Sequence, residues 1–242
     1  MESVHAKRGH IPHPQRSRTA AWLVHTYTAS GAVLAFAGAW AVVHGYDRIA
    51  FGAMFAATIV DSTDGALARR ADVKRVIPEI DGARIDDIVD YITFVFLPML
   101  LLEASGGLYW SGLPVVAVVL LSSMYGFVAP DAKTEDAFFT GFPSYWNIVV
   151  LYLLVFHVPP GWNAVILLVL SALIFVRIGY VYPSRTPTLR PLTLALASIW
   201  AVLLAIMIAR FPSPPRAIAI ASLAFPVYYF VLSLWLNARR AR

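Results

Sequence analysis

Apolar residues fall in eight runs separated by short polar, basic or Pro-containing stretches, at about Ala20 to His44, Arg48 to Leu67, Arg84 to Glu103, Leu108 to Ala129, Ser144 to Val158, Trp162 to Tyr182, Pro191 to Ala209 and Ala217 to Leu236. Most approach the ~20 residues a helix needs to cross a bilayer. The pattern predicts an all-α, polytopic integral membrane protein of about eight transmembrane helices. The first run is too long for the apolar core of a signal peptide and carries no convincing cleavage site, so it reads as a retained span. A basic arm over residues 1–19, a single transmembrane domain over 20–236 and a basic tail over 237–242 complete the chain.

Acidic residues break two of the runs. Asp61 and Asp64 stand i,i+3 near the end of the second, and Asp86 and Asp90 stand i,i+4 near the start of the third, so each pair projects from one helical face. Asp61 lies eight residues before Arg69, and Asp90 lies six after Arg84. At ~1.5 Å per residue, both sit on the order of 10 Å beneath the same interface. An ionised Asp in mid-span costs ~2.5–3.5 kcal/mol, so four together require compensation. Hard oxygen ligands in a cluster suit Mg²⁺ or Mn²⁺, with room for two ions. The alternative is interfacial carboxylates reaching for water and pairing with Arg69 and Arg84, which short Asp side chains do poorly.

Composition sharpens the class. With 59% hydrophobic and 14% charged residues and a mean hydropathy of +0.69, the chain lies far from an ordinary soluble domain. It has no cysteine, which excludes disulfides and thiolate chemistry. The net charge of +5 comes from basic residues between the apolar runs, a topology signal facing anionic lipid rather than a nucleic-acid surface. With the N-terminus inside, sixteen Lys and Arg fall on the cytoplasmic side and three opposite. This bias predicts both termini in the cytoplasm.

The acidic residues belong to a longer pattern: Asp61-x2-Asp64-Gly65-x2-Ala68-Arg69, twelve residues, then Gly82-x3-Asp86-x3-Asp90. It closely resembles the signature of the CDP-alcohol phosphotransferases. The spacer between Arg69 and Gly82 is longer than is usual in that family and resembles the bacterial phosphatidylcholine synthases within it. So do the chain length and the segments Phe139-Thr140-Gly141-Phe142-Pro143-Ser144-Tyr145-Trp146-Asn147 and Tyr182-Pro183-Ser184-Arg185-Thr186. The resemblance implies a six-helix core plus two C-terminal helices. It further implies that Asp61, Asp64, Asp86 and Asp90 hold the ions, with Asp90 also the general base. Gly65, Ala68, Arg69 and Gly82 would accommodate the cytidine nucleotide together with the two aspartates of the second run. Arg69 and Asp86 join Asp90 in the catalytic set. Where the family often carries Asn-x2-Thr, this chain reads His25-Thr26-Tyr27-Thr28; Thr28 is carried over, whereas His25 departs from the pattern.

The reaction so implied is attack of the choline hydroxyl on CDP-diacylglycerol in the bacterial inner membrane, giving phosphatidylcholine and CMP, by an enzyme that is a homodimer in the family. Serine, inositol or glycerol phosphate as acceptor is the alternative. A quaternary ammonium calls for aromatic faces, and Tyr91, Tyr145, Trp146, Tyr180 and Tyr182 lie near the predicted cytoplasmic side, where an ordinary interfacial belt would also place them. Arg177, expected inside the sixth span, reads either as a snorkelling residue or, with Lys133, as a ligand for a lipid phosphate. A divalent-cation transporter would also bury carboxylates, but the chain shows no inverted repeat.

Overall fold

The computed structural model describes residues 17–109, 112–132, 134, 138–183 and 185–240. Lys133 and most of the basic arm lie outside the described residues. Helix α1 (Arg18–Val43) starts where the Ser17 side chain accepts a hydrogen bond from the Ala20 N–H. It turns through Gly45, at φ +71°, into α2 (Asp47–Ala71), whose last turn carries Arg69 and Arg70 against the helix dipole. The long spacer folds as a single turn, α3 (Val73–Val76). Asp81 then caps α4 (Gly82–Asp90), its carboxylate accepting from the Ala83 and Arg84 N–H groups at 3.1 and 3.4 Å. Helix α4 runs on through a π-helical segment, Tyr91–Phe96, into α5 (Leu97–Ala104), forming one continuous rod.

Then follow α6 (Gly112–Val128), β1 (Phe138–Thr140), α7 (Trp146–Val155), α8 (Pro160–Ile174), β2 (Gly179–Val181), α9 (Arg190–Ala209), α10 (Arg216–Ser222) and α11 (Ala224–Arg240). The protein is a mostly helical membrane protein. Among the described residues, α1, α9 and the α10–α11 rod over Arg216–Arg240 are long and apolar enough to cross a bilayer. Exposed apolar side chains such as Leu23, Val33, Phe36, Leu113, Leu121 and Val202 give it a surface suited to lipid rather than water.

Helix α1 organises the interior. Apart from Val42 at its end, its buried positions, Ala21, His25, Thr28, Gly31, Ala35, Gly38 and Ala41, recur every three or four residues and are nearly all small. The stripe lets α2, α4 and α5 dock closely. A Cβ at Gly31 would clash with Cγ1 of Val89 on α4, and one at Gly38 would fall 2.5 Å from Cδ2 of Leu97 on α5. The main core lies behind these contacts, around Phe51, Met54, Leu97, Leu101, Leu151 and Leu167. A smaller cluster of Ala21, Val73 and Ile77 seats the spacer on α1. Arg18 pairs with Glu79 over it, and the residue's backbone N–H together with that guanidinium holds the Glu79 carboxyl below its ordinary range.

Two expectations change. The sixth run, predicted helical to Tyr182, leaves the helix at Ile174, and Gly179–Val181 pairs antiparallel with Phe138–Thr140. Helix α11 satisfies the outer edge of β2: Asn237 Oδ1 accepts from the Gly179 N–H and Ser233 Oγ from the Val181 N–H, each at 3.0 Å. Arg177 therefore lies in the irregular stretch between α8 and β2 rather than within a helix, and its guanidinium pairs with Asp131 at 3.1 Å. Helix α11 continues to Arg240, into the stretch expected as the basic tail.

The α1 stripe yields a paired test. Gly31→Ala should lower the thermal midpoint in detergent by several degrees, on the scale of the ~1–3 kcal/mol of an overpacked core. Val89→Ala in the same chain should recover most of it. Simple additivity of the two losses would show that the α1–α4 contact is not close enough to couple them.

Candidate functional site

Asp61 comes from α2, and Asp86 and Asp90 come from successive turns of one face of α4. One carboxylate oxygen from each lies within 4.8 Å of the other two, and all three residues are half-buried. Helices α2 and α4 approach each other less closely than either approaches α1, so the carboxylates meet across a gap that α1 closes from behind. Ligand oxygens about 2.1 Å from one ion stand ~3–4 Å apart, so three carboxylates within 4.8 Å of one another have the hard-oxygen chemistry of a Mg²⁺ or Mn²⁺ shell and stand near its size. Asp87, half-buried on the same helix, is not among the three.

Asp64, one turn beyond Asp61, also stands outside that group. It is 6% exposed, and its Oδ2 accepts a 2.8 Å hydrogen bond from Oγ1 of Thr28. The sequence placed both residues at the site, and the structure joins them directly. The remaining motif positions are explained by what fills their space. A Cβ at Gly65 would come 3.3 Å from Nη1 of Arg69, so the glycine leaves room for the guanidinium to fold back over its own helix. A Cβ at Gly82 would come 2.9 Å from Cε1 and 3.2 Å from Nδ1 of His25, so this glycine admits the imidazole. Ala68 packs against the Val73 and Ile77 cluster.

The five aromatic candidates separate. Tyr145 precedes α7, and the carboxylates of Asp61 and Asp90 and the Tyr182 hydroxyl all act on it electrostatically. Tyr182 is partly open; its ring stacks on Phe139 at 4.6 Å, and the Arg185 guanidinium sits 5.1 Å over it. The other three are engaged elsewhere. Trp146, expected at an accessible rim, is fully buried in the main core, and its indole N–H donates to Ser123 Oγ at 2.7 Å. Tyr180 is 2% exposed and stacks on Tyr229 in the cluster beneath α11. Tyr91 donates its hydroxyl to the Leu120 carbonyl and packs edge-on to Phe127.

Sequence reasoning missed Tyr229, whose ring lies 6.4 Å from that of Tyr145. It comes from the last helix, with no motif around it, and only the fold brings it near. Asn147 was also missed as a tie: its Nδ2 donates to Thr58 Oγ1 at 3.1 Å, joining α7 to the acidic helix α2.

No protein-family model matches the chain. Curated relatives do. It is 46% identical over 54% of its length to the phosphatidylcholine synthase of Legionella bozemanae, covering 62% of that protein. It is 40% identical over 69% of its length to the one of Legionella pneumophila, covering 66% of it. The chain thus spans a little under two thirds of these two relatives. With the phosphatidylcholine synthase of Pseudomonas aeruginosa the identity is 33% over 92% of this chain and 94% of that protein. Similarity of that extent, along nearly the whole chain and around a converged acidic site, means that the chain belongs to the phosphatidylcholine synthase family of enzymes.

Proposed function

We propose that the chain transfers the phosphatidyl group of CDP-diacylglycerol to choline, releasing CMP, at the cytoplasmic face of a bacterial inner membrane. The observation that carries this reading is the convergence of Asp61, Asp86 and Asp90 to within 4.8 Å from two helices. In the same reading the eight helical rods all cross the bilayer, and the positive-inside bias sets both termini in the cytoplasm. The site then faces water for choline and CMP while opening sideways to the two acyl chains.

Asp61, Asp86 and Asp90 would hold a Mg²⁺ or Mn²⁺ ion, and a second ion would draw in Asp64. Such ions supply charge neutralisation to a pyrophosphate and its leaving phosphate. The chain's own residues do the rest. The choline hydroxyl oxygen bonds to the β-phosphorus as the bond from that phosphorus to the CMP oxygen breaks. Asp90 accepts the hydroxyl proton. Arg69, with its planar fork over Gly65, binds phosphate oxygens bidentately. Tyr145 and Tyr182 offer ring faces to the trimethylammonium group, which at Tyr182 would take the place of the Arg185 guanidinium now over the ring. Arg177 would serve the lipid phosphate by exchanging Asp131 for it.

Purified protein given CDP-diacylglycerol and choline should release CMP and form phosphatidylcholine only with Mg²⁺ or Mn²⁺ present, and chelation should stop it. A better rate with serine, inositol or glycerol phosphate would remove the choline assignment. Asp61→Asn, Asp86→Asn and Asp90→Asn should each lower turnover roughly a hundredfold or more, with Asp87→Asn much milder. Equal loss at Asp87 and Asp86 would contradict the one-face geometry. Thr28→Val keeps shape but leaves the buried Asp64 without its donor. A tenfold or larger loss, at ~1.5–3 kcal/mol for a hydrogen bond to a charge, should be largely restored by Thr28→Ser. Tyr145→Ala and Tyr182→Ala should raise the choline KM several-fold without moving that for CDP-diacylglycerol, whereas Trp146→Ala should destabilise the whole protein by ~3–5 kcal/mol.

A further inference from the structure

Tyr145 and Trp146 are neighbours in sequence but are held by different parts of the molecule. Trp146 is enclosed in the main core, where its indole N–H donates to Ser123 Oγ. Tyr145 instead packs against the smaller cluster that α11 forms with the strand pair. Its backbone is fixed by a tight turn. Ser144 stands at φ +54°, Tyr145 at φ −76° and ψ 55°, and the Trp146 N–H donates back to the Ser144 carbonyl at 2.8 Å. The turn separates the two side chains, so the surroundings of the Tyr145 ring are set from α11 rather than from the core.

Tyr229 is the residue of α11 that meets it. The two rings stand 6.4 Å apart at 66°, edge to face, and their hydroxyls act on each other. Tyr229 is itself locked: it is 7% exposed, stacks on Tyr180 of β2 at 6.2 Å, and meets Phe230 edge-on at 5.9 Å. The helix carrying it is tied down close by. The Tyr228 hydroxyl is hydrogen-bonded to Thr193 of α9 at 2.8 Å, and one turn beyond Tyr229 the Ser233 hydroxyl accepts from the Val181 N–H of β2. A continuous series of contacts thus runs from α9 through α11 to Tyr145, on which the Asp61 and Asp90 carboxylates also act.

We propose that Tyr229 is a positioning residue for the acceptor, whose ring holds Tyr145 at the angle that turns its face to the trimethylammonium group. The proposal rests on the reading above that sets Tyr145 against choline. Tyr229 is enclosed and acts only through Tyr145. The quadrupole of an aromatic ring is negative on its face and positive at its edge, so a cation is drawn to the one and repelled by the other. Rotation of Tyr145 therefore changes the sign of its interaction with choline, and a ring packed against it fixes that sign. A residue of the last helix then governs how well a site built on α2 and α4 takes its acceptor, with the acidic group untouched.

The test uses the full-length protein purified in detergent with Mn²⁺, reading kcat, the KM for choline, the KM for CDP-diacylglycerol and the thermal midpoint. Tyr229→Phe keeps the ring and should leave both KM values within about twofold of wild type. Tyr229→Leu and Tyr229→Met remove the ring by two routes. Each should raise the choline KM about five- to tenfold, with the CDP-diacylglycerol KM within about twofold and most of kcat kept at saturating choline. In a Tyr145→Ala background Tyr229→Leu should add nothing, because the face it orients is gone. Met207→Ala, fully buried in the main core, is the stability control and should lower the midpoint with the choline KM unchanged. A purely structural Tyr229 predicts a lower midpoint in Tyr229→Leu with the choline KM intact, or both KM values raised together. Either result overturns the proposal, as does a further rise in the Tyr145→Ala background. If Tyr145→Ala raises the choline KM and Tyr229→Leu does not, this inference alone fails. If Tyr145→Ala leaves the choline KM unchanged, the acceptor reading fails and takes this inference with it.

Discussion

Carboxylates on neighbouring helices repel one another, and at membrane depth little water is available to screen them. The structure meets this by not packing the two acidic helices tightly together. Helices α2 and α4 each dock on α1, which brings Asp61 to Asp86 and Asp90 from opposite sides while leaving space between. The small residues of α1 are therefore a condition for the site. A wider stripe would move α4 outward at Val89, the residue immediately before Asp90. The spacer reinforces the arrangement from the end of α2, with Ile77 buried against α1 and Arg18 paired to Glu79. Geometry that a ligand must find ready is fixed by the close packing of side chains on the small residues of α1.

The acidic group was legible in the sequence because spacing on a helix is a strong constraint. Residues i,i+3 and i,i+4 share a face wherever the helix lies, and a common depth below one interface follows from counting rise. The hydrogen bond between Thr28 and Asp64 was not legible, since that contact depends on the rotation of α1 against α2. The aromatic residues were least legible. Trp146 and Tyr145 are adjacent in sequence, yet one is fully enclosed and the other lies by the acids, because the start of α7 turns successive side chains to different surroundings. Composition near an interface attracts aromatics for several reasons, and only tertiary packing distinguishes them.

The strand pair shows a similar limit. Residues 175–181 read as the end of a hydrophobic helix, and nothing local forbids it. What ends the helix is a long-range exchange: Gly141 comes close against the Ile174 carbonyl and donates its N–H to the Ile178 carbonyl, while α11 supplies Asn237 and Ser233 to the other edge of β2. These partners are separated by dozens of residues. Their effect is to set Tyr182 and Phe139 at the edge of the site instead of inside a span.

The π-helical segment at Tyr91–Phe96 begins immediately after Asp90. Such a segment carries, in effect, one residue more than a regular helix of the same rise, and each residue turns a helix by ~100°. The rod therefore has two phases. Up to Asp90 it presents Asp86 and Asp90 to α2, and from Phe94 onward it presents Leu97, Leu101 and Leu102 to the core. Loss of any one residue between 91 and 96 would heal the hydrogen-bond ladder into an uninterrupted α-helix. The healed rod could satisfy the acids or the core, but not both. Selection for chemistry and selection for a regular fold thus oppose each other over a single residue, and a lineage that loses the chemistry would be free to lose the bulge.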